Sequence, residues 1–222
     1  MRCLVAGMAV LATAQQPSWR DKPAAEWTRA EARQVLTDSP WAKSTLAKLN
    51  VTRGGGGGGG GGRIGVGVPR RRTGGIGGYP VPRTPPPAPR QAPAPRKPPT
   101  LLVRWETAEP VREAELKTQD SGVPYGDEAH YAVAVLRIPN RLLGNAGKPK
   151  AELHRKSGKT IKSTSAKVIP RDQNGMVLFL FPRSKEIVPG DQEIEFRARI
   201  GTLEIKQSFS LAEMTWHGKL EL

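Results

Sequence analysis

The chain has one cysteine in 222 residues, Cys3, and 5% aromatic residues. A single thiol excludes an internal disulfide framework and any multi-cysteine metal site. Scarce aromatics leave little material for a carbohydrate-stacking platform. No HxH or HExxH spacing joins His130, His154 and His217, so nothing in the sequence points to a metal centre. The strained Gly-x-Ser-x-Gly turn of serine hydrolases is missing. The one Gly-Lys-Thr, Gly158-Lys159-Thr160, has Leu153 where a phosphate-binding loop needs its first glycine. No catalytic residue, cofactor site or metal site is expected, and the sequence points away from an enzyme.

Acidic residues are absent from one stretch altogether. The formal net charge is +15. Residues 53–99 hold 9 basic residues and no acid, whereas residues 100–222 hold 19 basic and 16 acidic residues. The excess that suggests nucleic-acid binding therefore belongs mainly to the segment between the foldable parts. That segment also holds most of the chain's 25 glycines and 21 prolines. Such a composition buries too little apolar surface to offset the entropy of ordering. Residues 53–99 are thus expected to be a disordered linker. Its nine-glycine run, Gly54 to Gly62, predicts a flexible coil, and Pro80 to Pro99 favours polyproline II. Arg70, Arg71 and Arg72 resemble the basic runs that hold polyanions, such as nucleic acid, lipopolysaccharide or acidic polymers. The competing reading is a spacer kept soluble by its arginines.

Long apolar runs are also missing, apart from a dozen residues at the start. Met1-Arg2, the apolar Cys3–Ala14 stretch and Ala12-Thr13-Ala14 are the three parts of a secretory signal. Residues 1–14 are therefore expected to direct export to the periplasm or beyond, and they are too short to span a bilayer.

Residues 15–52 predict a helical hairpin. Thr28 and Glu31 fit a capping box, followed by Ala32, Val35 and Leu36 on one face. Ser39-Pro40 ends that helix and suits the start of a second, with Trp41, Ala42, Leu46 and Leu49 as its apolar stripe. Trp19, Trp27 and Trp41 need a larger surface to cover them, either the chain's own β domain or a partner. They are the candidate interaction residues of this segment. A DNA-reading helix-turn-helix is disfavoured, because only Lys43 and Lys48 lie on the second helix.

Residues 100–222 predict about eight short strands. Leu101, Val103 and Trp105 alternate with Leu102, Arg104 and Glu106. Residues 130–138 form an apolar strand. Residues 150–156 and 160–169 flank a Ser157-Gly158 turn. Met176 to Phe181 is a buried strand. Ile194, Phe196, Ala198 and Ile200 alternate with Glu193, Glu195, Arg197 and Arg199, and Leu203, Ile205 and Phe209 follow on a partner strand. Thr107 to Lys117 suits a short helix, and the chain is expected to end in one strand with Gly218 at a bulge. Glu106, Glu109, Glu113, Asp127 and Glu128 read as a solvated face. The expected fold is mainly β: an antiparallel β-sandwich of immunoglobulin-like layout with a short N-terminal αα-hairpin.

Glu26-Trp27-Thr28, the stretch Val35-Leu36-Thr37-Asp38-Ser39-Pro40-Trp41-Ala42-Lys43, Phe179-Leu180-Phe181-Pro182-Arg183 and the ending Gly218-Lys219-Leu220-Glu221-Leu222 resemble a group of uncharacterised exported proteins of Acidobacteria-type soil bacteria. The resemblance covers both foldable segments and skips the linker. It implies export and the pairing of the two segments, and it implies no activity. The function expected from these readings is an exported, non-enzymatic interaction module of the cell envelope. Its partner would be an envelope protein or an anionic surface polymer, with polyanion binding through the linker as the alternative and an envelope hydrolase as the weakest reading. No specific nucleic-acid site is expected, and the oligomeric state stays open.

Overall fold

The capping box at Thr28 forms as its spacing requires. The Glu31 N–H donates to the Thr28 Oγ1 at 3.2 Å, and the Thr28 N–H donates to the Glu31 carboxylate at 2.8 Å. Two short 3-10 turns, Ser18–Asp21 and Ala24–Glu26, precede it, and helix α1 (Arg29–Thr37) follows. Ala32, Val35 and Leu36 are its buried residues. The computed structural model describes residues 17–50, 97–120, 128–144 and 146–222. The expected signal segment and nearly all of the expected linker lie outside the described residues.

The second helix of the expected hairpin does not form. Ser39 and Ala42 close a tight turn by exchanging backbone hydrogen bonds at 3.0 and 3.1 Å. The chain then runs as two strands, β1 (Ala42–Leu46) and β2 (Lys48–Leu49). The reason is tertiary: an open strand edge beside this segment supplies backbone partners that an isolated hairpin lacks. Leu46, assigned above to an apolar stripe, is 64% exposed.

After the connection come β3 (Thr100–Trp105), α2 (Glu109–Thr118), β4 (His130–Pro139), α3 (Asn140–Leu143), β5 (Lys150–Arg155), β6 (Thr160–Lys162), β7 (Ser165–Ile169) and β8 (Asn174–Pro182). A 3-10 turn, Pro189–Asp191, leads into β9 (Glu193–Ile200), β10 (Leu203–Ser210), β11 (Thr215–Trp216) and β12 (Lys219–Leu220). Pro110 sits in the first turn of α2, where its missing N–H costs nothing.

The fold is mainly β, and every strand pairing among the described residues is antiparallel. One sheet has the order β1-β3-β4-β8-β7, a second the order β2-β10-β9-β5-β6, and β11 and β12 form a small ribbon. The two large sheets meet through edge-to-face aromatic pairs: Trp105 with Phe209 at 5.9 Å, and Phe179 with Phe196 at 5.9 Å. The alternation read in β9 holds, with Ile194, Phe196, Ala198 and Ile200 all buried.

Three local expectations change. Residues 160–169 are two strands in different sheets: β6 pairs with β5, and β7 crosses over to pair with β8. The chain ends in a hairpin, in which His217 (φ 48°) and Gly218 (φ 78°) take the two left-handed turn positions. Glu106 belongs to no solvated face; it is 1% exposed.

Residues 17–50 and 98–222 belong to one compact unit. β1 lies along β3 at the edge of the first sheet, from Ala42 opposite Arg104 to Leu46 opposite Thr100. Two residues later β2 lies along β10 at the edge of the second sheet. The N-terminal segment therefore covers one edge of both sheets. The Ala47 N–H donates to the Pro99 carbonyl at 3.1 Å, so residues on the two sides of the undescribed stretch 51–96 are neighbours.

Candidate functional site

The candidate interaction residues fall into two groups. Trp19, Trp27 and Trp41 are 0%, 2% and 0% exposed. They converge on Trp216 of β11, with ring centroids 6.2, 5.4 and 6.4 Å from it. Trp19 also lies 6.1 Å from Trp27 and 6.0 Å from Trp41. The Trp27 indole donates to the Trp19 carbonyl, and the Trp41 indole donates to the Glu221 carbonyl, both at 2.8 Å. The Trp19 indole N–H is buried without a hydrogen-bond partner. The three N-terminal tryptophans are thus covered by the chain's own C-terminus and do not stand on its surface. Arg70, Arg71 and Arg72 lie outside the described residues.

A buried charge cluster, missed in the sequence, sits beside α2. Arg104 points to the outer face of the first sheet and is 2% exposed. Its Nε donates to Glu106 at 3.0 Å, and its terminal nitrogen donates to Glu115 of α2 at 2.6 Å. Burial, together with the nearby Glu106 charge, pushes the Glu115 carboxyl up to about 8, against the pull of Arg104. One cation therefore faces two carboxyls, and the second carboxyl keeps its proton at neutral pH. The proton has an acceptor at hand, because Glu106 Oε2 is buried and otherwise unsatisfied. Arg104 and Glu106 are both buried, and the Arg104–Glu115 hydrogen bond fastens α2 to β3.

The signal for this cluster was present in β3 and β4. Leu102 shares the outer face with Arg104, and Ala132 and Ala134 on β4 are buried on that same face, with Met176 and Leu178 of β8. A strand apolar on both faces is a strand covered on both faces. An arginine within such a face needs buried carboxylate partners.

The outer face of the second sheet is different. Glu152 and His154 of β5 lie 3.1 Å apart, Glu195 pairs with Arg197 on β9, and Arg199 pairs with Glu204 of β10. Hydrogen bonds from these arginines hold both Glu195 and Glu204 below the usual carboxylate range. Glu152 stands opposite Arg197 and Glu204 opposite Arg199, which favours solubility and correct register. His130 begins β4, and His217 lies in the terminal turn.

An open groove of ≈ 730 Å³ runs beside the tryptophans, between the N-terminal segment and β10. Trp19, Arg20, Asp38, Lys43, Gln207 and Glu213 are among its lining residues. Lys43 and Glu213 face each other at 3.6 Å, so its charges are partly matched internally. No helix among the described residues is long and apolar enough to cross a membrane. Comparison with protein-family models, curated proteins and solved structures gave no match.

Proposed function

We propose that this chain is an exported, non-enzymatic interaction module of the cell envelope, built on an immunoglobulin-like β-sandwich. The strand order supports the layout. Named in chain order from β3, one sheet reads A-B-E-D and the other G-F-C-C′, the arrangement of immunoglobulin-like sandwiches. The N-terminal segment is an addition to that plan, laid along strands A and G.

One observation carries the functional reading. The 3.1 Å hydrogen bond between Ala47 and Pro99 brings the two ends of the connection across residues 51–96 to one point of a two-sheet scaffold. Its flanking residues therefore belong to one folded unit. Loops displayed on rigid scaffolds are where recognition concentrates. This loop carries Arg70, Arg71 and Arg72 and has no acidic residue. That charge favours, as a second reading, an anionic surface polymer as the partner.

The test compares the full chain with a version in which residues 52–96 are replaced by six Gly/Ser residues. Both are passed over immobilised heparin and lipopolysaccharide at rising salt. The full chain is expected to be held and the replaced chain to flow through. Equal retention of the two removes the loop from the function and leaves the folded faces as the binding surface. Turnover of envelope glycans, esters or peptides by the full chain would overturn the non-enzymatic reading.

A further inference from the structure

Residues 17–50 are held in the fold by contacts that do not involve the connection to residue 99. Trp19, Trp27 and Trp41 close around Trp216. β1 takes five paired positions along β3, and β2 takes two along β10. The Lys117 Nζ donates to the Ala25 carbonyl at 2.6 Å. Every one of these partners belongs to residues 100–222.

The connection is far longer than this seating requires. Two neighbouring antiparallel strands need only a few linking residues. Between Asn50 and Pro99 the chain has 48 residues, which span roughly 160 Å when extended. A folded unit of about 170 residues is roughly 40 Å across. The tether therefore permits the segment to reach its own slot or that of a neighbour.

We propose that the slot formed by the free edges of β3 and β10 and by Trp216 accepts residues 17–50 of a second copy of this chain. The contacts made in trans are those made in cis. The cis arrangement is favoured only through the effective concentration that the tether supplies, of order millimolar or below for a loop of this length. Cutting the tether removes that advantage and leaves the slot fillable by either copy. The second copy is the fitting occupant because the slot matches this segment at every layer: backbone register, three indoles and the Trp41–Glu221 hydrogen bond. The inference does not depend on what the loop binds.

The experiment uses the full chain with a site-specific protease sequence inserted after Gly58, folded and then cleaved. Cleaved light and heavy-isotope proteins are mixed, unfolded, refolded and examined by gel filtration and native mass spectrometry. The two pieces are expected to co-elute, with mixed light–heavy complexes making up about half of the total. Pieces that elute apart, or complexes that never mix, would overturn the proposal. In a second arm the heavy protein carries Trp19→Ala and Trp41→Ala. Its N-terminal piece is expected to enter complexes at least tenfold less often than the wild-type piece, which still fills the slot and keeps the fold intact. Equal entry of the two pieces refutes the tryptophan slot.

Discussion

Replacing residues 52–96 with six Gly/Ser residues should make the protein more stable. Asn50 follows Ala47 by three residues and so lies within about 10 Å of it. Ala47 in turn is bonded to Pro99. A short loop therefore closes the gap without strain. For a free chain, going from 45 residues to six is close to three halvings, each worth about 0.6 kcal/mol of closure entropy, or about 1.8 kcal/mol in all. For a folded unit of this size that corresponds to a rise in Tm of about 4–7 °C. The assay is thermal unfolding followed by circular dichroism, with urea unfolding as a check on the free energy. The replacement also removes eight arginines, taking the formal charge of +15 down to +7, so the measurement is made in 0.5 M salt to suppress that contribution. A fall in Tm would refute the reasoning, because it would mean that residues 52–96 make contacts the folded unit needs.

Trp41→Ala removes a side chain 0% exposed and the hydrogen bond to Glu221; a loss of about 3–5 kcal/mol is expected by urea unfolding, and an unchanged midpoint would contradict the tryptophan packing. Glu115 has a folded-state pKa of about 8 against an ordinary 4.5, so the stability tied to its neutral form is complete below 4.5 and is lost as pH rises through 8. The wild type should therefore weaken across that window relative to Glu115→Gln, and parallel pH profiles for the two proteins would rule out the retained proton. A Cβ at Gly175 would meet Leu143 Cδ1 at 2.3 Å and the Ile169 carbonyl at 2.9 Å. Gly175→Ala should cost about 1–3 kcal/mol, read as a lower Tm, and an unchanged Tm would mean that β7 and α3 move aside freely.

Much of the β architecture could be read from alternation, because each sheet buries one face against the other. β9 is the clearest case: four inward apolar residues and four charged outward ones fix its register. Helix α1 was equally legible, since its cap is local chemistry within four residues. Residues 41–49 misled for the opposite reason. Their apolar residues fit a helical stripe, and the deciding partners, β3 and β10, lie more than 50 residues away. The charge cluster escaped because period-two reading assigns Arg104 and Glu106 to solvent. Only the apolar outer residues around it, Leu102 of β3, Ala132 and Ala134 of β4, and Met176 and Leu178 of β8, hint that this face is covered.

The meeting of Trp19 with Trp216 sets a clock on synthesis. About 200 residues separate the two rings, which at roughly 5–20 residues per second take about 10–40 s to polymerise. During that interval the first three tryptophans have one another but lack Trp216, and strand β1 has no sheet edge to join until β3 emerges. A nascent chain of this design stays incompletely closed until Trp216 appears, so the closing of its tryptophan cluster follows, and never precedes, the making of both sheets.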